Sequence, residues 1–543
     1  MKRSTLTLFF VFFLMLSTTA QNYFRIAFTD KNNSPFTLDH PEDYLSERAI
    51  QRRVNQNIEI DSLDLPVNQN YIDSVLTLDV SFVHASKWLN EITVATSYET
   101  IDFILSWSFV KEIQLTKPGV MTKSAHHKFA EEQITESLPI DTSLYGASVY
   151  QVGMLNGQFL HEKGYRGEGI QIAVLDAGFE KADQLPAFDS LWLNGQILGT
   201  RDFVTPDSDF WSTDSHGMSV LSTMGGNIPG QLIGTAPEAS YLLLRSEDKA
   251  TEYIIEEDNW AVAAEYADSA GVDVINSSLG YYTFNDPSTD HTYADMDGKT
   301  TRVTQAANIT ASRGILVFAS AGNERDKDWF RIIAPSDGTN VIGVGAVDKN
   351  MVPASFTSAG PAYGGAIKPN VAAMGYLTAA QLTNGNVGLV RGTSFSSPVM
   401  AGMAASLWSM FPEKTAVEIK EAIERSASQY NSPDSLLGYG IPDMKIASEL
   451  LGYNSTENIE TLSSWKVFPN PVKDQLVIWA LLTPTQNVQI ELYSLQGNVL
   501  KRWIKSAGQK IILNDLPALT TGMYVLRINN GSANESFKIN VVK

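Results

Sequence analysis

The chain has 543 residues, far more than one domain of ordinary size, so several folded units are expected. It carries 60 Asp and Glu against 40 Lys and Arg, and this net charge of −20 argues against binding to nucleic-acid phosphates. It contains no Cys, which excludes thiol nucleophiles, disulfide scaffolds and Cys-ligated metals.

The first twenty residues predict a secretory signal peptide. Lys2 and Arg3 precede an apolar run from Leu6 to Leu16, and Thr18 and Ala20 supply the small residues of a cleavage site. The apolar run is too short to span a bilayer comfortably. An uncleaved anchor is the alternative, and export of a soluble mature protein is the favoured interpretation.

Residues 21–117 predict a small α+β unit. Strand-like runs at 24–28 and 91–95 stand beside helix-like runs at 46–54 and 71–76. The polar stretch that follows, from Lys117 to Ser137, could hold a processing site.

The middle of the chain, residues 140–451, predicts a large parallel sheet covered by helices on both faces. Apolar runs at 170–175, 272–276, 315–318 and 341–344 read as buried strands, and residues 260–267 between them favour a helix. Buried strands that alternate with helices are typical of doubly wound α/β folds.

The last eighty residues show a different pattern. After a polar linker, apolar residues alternate strictly with polar ones, as at Val488, Ile490 and Leu492, and turn signals such as Gly497-Asn498 separate the runs. This pattern predicts a small all-β sandwich.

The candidate nucleophile is Ser394, within the run Gly392 to Pro398. The run opens a helix of small residues, so Ser394 would lie at a helix N-terminus, where backbone N–H groups favour a developing negative charge. The commonplace alternative is a Ser-rich helix cap.

All seven His precede Ser394, which limits its catalytic partners. An α/β-hydrolase needs its His after its Ser, so that order is excluded and the orders His–Asp–Ser and Asp–His–Ser remain. The seven residues are His40, His84, His126, His127, His161, His216 and His291.

Three further polar residues lie in Gly-flanked turns. Asp176 ends the apolar run 170–175, His216 precedes Gly217, and Asn323 follows the run 315–318. Strand ends of parallel sheets are where α/β folds place catalytic groups. Taken singly, each of these residues reads as an ordinary turn or capping residue. Together with Ser394 they occur in the order Asp, His, Asn, Ser, each in a Gly-flanked turn, and four independent coincidences of this kind are implausible.

With these motifs, residues 140–451 resemble the subtilisin-like serine peptidases. The resemblance implies that Asp176 is the orienting acid, His216 the general base and Ser394 the nucleophile, and that Asn323 is the oxyanion donor. It further implies a strand that pairs with the substrate backbone, made of Ser277, Ser278, Leu279 and Gly280.

Three residues, at two places in the chain, depart from the family pattern. Met218 and Ser219 stand where Thr-His is usual, and Ala177 stands where Ser or Thr is common. Neither change replaces a catalytic residue, although both alter the surroundings of the triad.

The flanking segments resemble companions of such peptidases. Residues 21–135 occupy the place of a propeptide with its processing linker, an ordinary accessory domain being the alternative. The C-terminal unit begins at Trp465, includes Phe468-Pro469-Asn470-Pro471 and resembles the sorting domain of Bacteroidota type IX secretion. The alternative is a carbohydrate- or protein-binding module. The predicted order is a signal peptide 1–20, a propeptide 21–135, a peptidase domain 136–452, a linker 453–464 and a sorting domain 465–543.

The implied function is a secreted or cell-surface serine endopeptidase, made as a self-inhibited precursor. Its partners would be protein or peptide substrates, its own propeptide and the type IX secretion machinery. No cofactor is required; the resemblance admits structural calcium, but neither His161-Glu162 nor Asp295–Gly298 has metal-site spacing, so no metal site is assigned. The alternative is a weak or inactive homologue kept for surface binding.

Overall fold

The structure, a computed structural model, describes residues 21–119, 144–453 and, with short gaps, 465–541. The predicted signal peptide, most of the predicted processing linker and interdomain linker, and residues 469–471 of the sorting motif lie outside the described residues. The chain divides into two compact units, one ending at Tyr453 and one beginning at Asn454. None of the described helices combines the length and hydropathy needed to cross a membrane.

The N-terminal part of the first unit is the expected α+β arrangement. Its antiparallel sheet has the order β2-β3-β1-β4, and Ser46 begins the first helix by accepting a hydrogen bond from the N–H of Ala49. The elements are β1 (Asn22–Phe28), α1 (Glu47–Asn55), α2 (Gln69–Leu76), β2 (Ser81–Ser86), β3 (Glu91–Thr96), α3 (Tyr98–Ile104) and β4 (Val110–Lys117).

The rest of the first unit contains the large sheet and its helices. Its strands are β5 (Gln171–Asp176), β6 (Ile197–Asp202), β7 (Asn227–Ile228), β8 (Leu232–Ile233), β9 (Ser240–Arg245), β10 (Val274–Ser277), β11 (Leu316–Ser320), β12 (Ile342–Val347), β13 (Val371–Met374), β14 (Tyr376–Gln381) and β15 (Val387–Arg391). Its helices are α4 (Val149–Gly153), α5 (Gln158–Glu162), α6 (Asp189–Leu193), α7 (His216–Gly225), α8 (Ile255–Ala270), α9 (Arg302–Ser312), α10 (Thr393–Met410), α11 (Ala416–Arg425) and α12 (Met444–Leu450). Single 3-10 turns lie at Pro41–Asp43, Pro186–Phe188, Phe210–Ser212, Pro287–Thr289 and Tyr293–Asp295.

Seven strands form one parallel sheet in the order β13-β12-β11-β10-β5-β9-β6. Alternate side chains of β5 enter different cores: Ile172 and Val174 pack with α7 and α10, and Ala173 and Leu175 pack with α8 and α9. The predicted doubly covered parallel sheet is therefore confirmed, and burial on both faces explains the unbroken apolar runs.

The second unit is a pair of antiparallel sheets, β16-β17-β20 and β19-β18-β21-β22, that enclose one core. Val488, Ile490 and Leu492 point into this core, as their alternation predicts. The sandwich is confirmed. Its strands are β16 (Trp465–Phe468), β17 (Leu476–Ala480), β18 (Val488–Tyr493), β19 (Val499–Lys505), β20 (Lys510–Leu513), β21 (Gly522–Asn529) and β22 (Asn534–Val541).

The N-terminal part of the first unit is attached to α8 by buried charges. Three cations of the N-terminal part surround the carboxylate of Asp268, which is wholly buried in α8. Arg53 Nη2 lies 2.9 Å from Asp268 Oδ2, Lys87 Nζ lies 3.1 Å from the same oxygen, and Arg52 donates to Oδ1. Because a buried charge is costly without a partner, each side of this contact depends on the other.

Two more acidic side chains of α8, Glu265 and Asp258, also bind the N-terminal part. Glu265 accepts hydrogen bonds of 2.5 to 3.1 Å from the Ser86 hydroxyl and the main-chain N–H groups of the turn Ser86–Trp88. Asp258 binds Arg25 at 2.6 Å and Arg302, from its own part of the unit, at 3.1 Å. Three carboxylates along one helix thus hold the N-terminal sheet.

We expect Asp268→Asn to destabilise the first unit by about 3–5 kcal/mol, because Arg52, Arg53 and Lys87 would lose their common anion. Burial raises the pKa of Asp268, but the charges of these three residues outweigh burial and lower it to about 2. The contribution of Asp268 is therefore complete above its usual pKa of 3.8 and is lost as the pH falls toward 2.

The measurement is denaturant unfolding of the full chain with hydrogen exchange across residues 21–119. Glu238→Gln is the control, because its partner Arg166 lies 3.6 Å away at the surface and such pairs contribute little. Equal unfolding free energies for the two variants would contradict the role given to Asp268.

Candidate active site

The carboxyl ends of three neighbouring strands bring the predicted site residues to one edge of the sheet. Asp176 is the last residue of β5, Ser278 directly follows β10, and Asn323 lies three residues beyond β11. Since β10 pairs with both β5 and β11 in parallel, these three positions lie side by side. The edge is where doubly wound sheets carry their ligand and catalytic groups.

Asp176 and His216 form a buried hydrogen-bonded pair. His216 Nδ1 lies 2.7 Å from Asp176 Oδ1, and the exposed fractions of the two residues are 2% and 0%. His216 is the first residue of α7, where its N–H donates to Asp214 Oδ1 at 2.8 Å. Burial raises the pKa of the Asp176 carboxyl, against the opposing effects of His216 and the Ala177 N–H.

Ser394 lies in the first turn of α10, so its main-chain N–H belongs to a free helix end. Its hydroxyl donates to Ser278 O at 3.4 Å, and its carbonyl accepts from Ser278 Oγ at 2.7 Å. The ring of the next residue, Phe395, lies 5.8 Å from the imidazole of His216. These contacts join Ser394 to Ser278 and bring the neighbouring Phe395 close to the imidazole of His216.

The amide of Asn323 is held in one orientation by Thr393. Its Oδ1 accepts from the Thr393 N–H at 2.9 Å and from Thr393 Oγ1 at 3.0 Å, and the same hydroxyl accepts from the Gly322 N–H. With the oxygen engaged, Nδ2 faces Gly392 and donates to no described residue. An amide donor without a partner, close to the candidate nucleophile Ser394, is suited to binding an oxyanion.

Several of these supporting residues are not singled out by the sequence reasoning. Thr393 orients the amide of Asn323, and Asp214 accepts a hydrogen bond from the first N–H of α7. Asn276 links the end of β10 to α10, because it donates to Ser278 Oγ at 3.1 Å and accepts from Ser397 Oγ at 2.8 Å. Thr393 and Ser397 lie inside the Gly392–Pro398 motif, and Asn276 opens the run Asn276–Gly280 that resembles the substrate-pairing segment. Neither motif predicts the hydrogen bonds that these three residues make.

The structure narrows the predicted substrate-binding segment. Ser277 is still part of β10, where it pairs with Leu175 on one side and Ala319 on the other, so its main chain is not open to a substrate. The N–H groups of Leu279 and Gly280, in contrast, have no partner among the described residues. The candidate segment is therefore Ser278, Leu279 and Gly280.

The two departures from the family pattern lie in the packed interior. Met218 is fully buried in the core between α7 and the sheet, and the Ser219 hydroxyl donates to Gln381 O at 2.9 Å. Ala177 has no hydroxyl to offer, and the buried Asp176 Oδ2 has no hydrogen-bond partner among the described residues.

The other candidate groups support no metal site. His161 is buried between Tyr145 and Thr235 O, and burial lowers its pKa to about 4, so it is a neutral packing residue. Asp297 accepts from backbone N–H groups of its own turn. Elsewhere the carboxylates of Glu247, Glu252 and Glu256 approach within 4.8 Å, but calcium takes six to eight oxygens and Tyr281 already donates to Glu247. We assign no metal.

The comparisons with known proteins agree with this geometry. Residues 167–440 match the subtilase family of S8 peptidases, residues 23–132 match an S8 propeptide domain of Bacteroidota, and residues 466–543 match a secretion system C-terminal sorting domain. The sorting domain marks the chain for export by type IX secretion to the cell surface or extracellular space.

Curated relatives cover the same region. Subtilisin E of Bacillus subtilis is 28% identical over 312 residues, which are 56% of this chain and 72% of the relative. A thermostable alkaline protease of Halalkalibacterium halodurans is 26% identical over 65% of this chain and 84% of its own length. Among solved structures, the prenylagaramide maturation protease PagA is 23% identical, with a TM-score of 0.44 over 54% of this chain and 98% of its own.

The family match spans half of the chain and includes the sheet edge at which Asp176, His216, Asn323 and Ser394 meet. Matches to a propeptide and a sorting domain lie on either side of it. The chain belongs to the subtilase family, and it is a subtilisin-like serine endopeptidase with a propeptide.

Proposed function

We propose that this enzyme hydrolyses peptide bonds through the triad Asp176, His216 and Ser394, and that it is made as a self-inhibited precursor. The observation that carries the proposal is the buried hydrogen bond of 2.7 Å between His216 Nδ1 and Asp176 Oδ1, at the sheet edge that also holds Ser394. A carboxylate bound to Nδ1 leaves Nε2 as the base.

In the acylation step, Ser394 Oγ attacks the peptide carbonyl carbon while its proton passes to His216 Nε2. Asp176 keeps the imidazole in the required tautomer and stabilises the imidazolium that forms. The carbonyl oxygen becomes an oxyanion, which accepts hydrogen bonds from the Ser394 N–H and Asn323 Nδ2. The intermediate then collapses, the C–N bond breaks, and His216 gives its proton to the leaving amine.

Deacylation repeats these steps with water. His216 takes a proton from the water as its oxygen attacks the acyl ester, and the same oxyanion donors act again. Ser394 Oγ leaves with the proton from His216, which restores the free enzyme. Asn323 needs no rearrangement between steps, because its orientation is fixed through Thr393.

An extended substrate would add a strand beside Ser278–Gly280. The N–H groups of Leu279 and Gly280 supply main-chain donors, and main-chain pairing gives affinity that depends little on sequence. This mode of binding suits an endopeptidase that accepts internal bonds of proteins and peptides.

The precursor is held by the contact between the N-terminal part and α8. Asp258, Glu265 and Asp268 bind the N-terminal sheet through buried ion pairs and hydrogen bonds. We propose that this part inhibits the enzyme until it is cut within residues 117–137 and released, and that Ser394 makes the cut. No step of this scheme requires a metal.

We expect a fluorophosphonate probe to label Ser394 in the mature enzyme under native conditions, because the activated hydroxyl attacks phosphorus. Ser396→Ala should keep the label, since the Ser396 hydroxyl only donates to Thr393 O within α10. Peptide mapping by mass spectrometry locates the label. Mature enzyme that stays unlabelled would favour the alternative of a non-catalytic surface protein.

Ser394→Ala, purified alone as the precursor, should keep its N-terminal part covalently attached. Wild-type enzyme added in trans should then cut it, which shows that the cleavage site is intact. Gel electrophoresis with N-terminal sequencing gives the result. If the variant matures unaided, self-processing is wrong even though the peptidase assignment stands.

Gly217→Ala should lower kcat/KM by about 10- to 100-fold, because small displacements of catalytic groups are this costly. A Cβ on Gly217 would lie 2.5 Å from Gly178 O and 2.7 Å from Asp176 Cβ, so it would push the acid away from His216. Gly153→Ala is the matched control, since its Cβ would meet nothing within 4 Å. Equal rates in peptide assays, with equal melting temperatures, would contradict the role of this close approach.

A further inference from the structure

Arg245 is a buried cation at the end of β9 that binds two segments of the candidate active site. Its Nε donates to Ala177 O at 2.9 Å, directly after Asp176. Its Nη1 donates to Asp202 Oδ2 at 2.8 Å and to Thr205 Oγ1 at 2.6 Å, at the end of β6 and in the loop that follows. One guanidinium group thus joins the segment behind the acid to the loop that runs from β6 toward α7.

The loop end of this link is held firmly in place. Asp202 is buried, and its Oδ1 accepts from the N–H groups of Val204 and Thr205 at 2.8 Å each. Its Oδ2 also accepts from Ser208 Oγ at 3.0 Å. Burial raises the pKa of Asp202, but the Thr205 N–H and Arg245 outweigh burial and lower it. Asp202 is therefore ionised at neutral pH and remains paired with the guanidinium group.

The other end of the link lies beside the acid. Asp176 pairs with Arg245 in the register of β5 and β9, and the Ser246 N–H donates to Asp176 O at 3.1 Å. The next carbonyl, that of Ala177, is bound by the Arg245 side chain. The Ala177 N–H in turn donates at 2.7 Å to Asp176 Oδ1, the oxygen that binds His216. A displacement of Ala177 would therefore disturb the carboxylate at its contact with the imidazole.

The two segments joined by Arg245 also contact each other in front of α7. The Glu180 N–H donates to Asp214 O at 2.9 Å, and the Lys181 N–H donates to Trp211 O at 3.0 Å. Asp214 then accepts from the N–H of His216 through its side chain. The position of the loop is thus passed on to the first residue of α7.

We propose that Arg245 is a positioning residue that fixes the acid Asp176 against the base His216. It does so by holding the residue after the acid against the loop that precedes the base. None of its hydrogen bonds, within the part of the chain that the structure describes, reaches Ser394 or the candidate substrate segment. Its effect therefore belongs to the chemical steps rather than to substrate binding. This inference rests on the proposed function, because it takes this pair as the catalytic acid and base.

The first test compares Arg245→Met with Arg201→Met in the mature enzyme. Arg201 is the matched control, because it directly precedes Asp202 and its guanidinium group lies 4.9 and 4.7 Å from the ring centres of Phe203 and Tyr266. Arg245→Met should lower kcat for a peptide substrate by about 10- to 100-fold and change KM by less than about 3-fold. Arg201→Met should keep both constants close to those of the parent.

Arg245→Lys is the conservative variant. Lys keeps the charge but lacks the planar fork that binds a carbonyl and a carboxylate together, so it should restore only part of kcat. If Arg245→Met folds poorly, Arg245→Lys and Thr205→Val decide, and both should lower kcat more than they raise KM. The inference is overturned if Arg245→Met or Arg245→Lys matches the parent, if the loss lies mainly in KM, or if Arg201→Met loses as much kcat.

The hydrogen bond between His216 and Asp176 gives a second readout that needs no activity. In full-length precursor carrying Ser394→Ala, the proton on His216 Nδ1 should give a separate low-field signal in proton NMR, and its absence in His216→Ala assigns it. Arg245→Met should shift this signal or broaden it through faster exchange, and Arg201→Met should not.

The two readouts separate failure of this inference from failure of the proposed function. An unchanged low-field signal in Arg245→Met refutes the positioning role even when the parent enzyme cleaves peptides. A parent enzyme that cleaves no peptide would overturn the proposed function, and the signal would still decide whether Arg245 holds the pair.

Discussion

Parallel hydrogen bonding among β5, β10 and β11 places the carboxyl ends of three strands next to one another, and the active site is built on that alignment. The register of the sheet brings the backbones of Asp176, Ser278 and Asn323 close together, so no long loops are required. Helices α7 and α10 then begin at this edge and deliver His216 and Ser394 on their first turns. A shift of one strand would separate the proposed acid, the proposed substrate segment and the proposed oxyanion donor.

The molecule holds buried charge in two different ways. On α8, carboxylates such as Asp268 are neutralised by cations from a segment more than 180 residues away, so the charge is stable only while that segment is bound. At Lys368 the chain instead surrounds a cation with its own neutral oxygens. The first arrangement joins two parts of the unit that are far apart in the chain, whereas the second lies within one part.

Local signals in the sequence account for much of the fold and for the four central residues. The apolar runs at 170–175 and 315–318 mark β5 and β11 because strands buried on both faces must be apolar throughout. The edge strand β6, with its mixed burial, carries no such run and was not predicted. The sequence also does not predict the roles of Thr393 and of the cations that bind Asp268. These roles depend on contacts between segments that are far apart in the chain, and residue spacing carries no information about such contacts. Ser277 was included in the predicted substrate segment for the same reason. Only the sheet register shows that its main chain pairs with β5 on one side and β11 on the other.

The carboxylates of α8 have a consequence for the medium into which the protein is exported. Dissolved salt screens exposed charges over distances of about 10 Å at 0.1 M, but it reaches buried pairs far less. Arg53 and Asp268 are 1% and 0% exposed, so ions in the surrounding water have almost no access to the charges that bind the N-terminal part. Salt should therefore weaken the binding of that part to α8 far less through these buried pairs than through exposed ones.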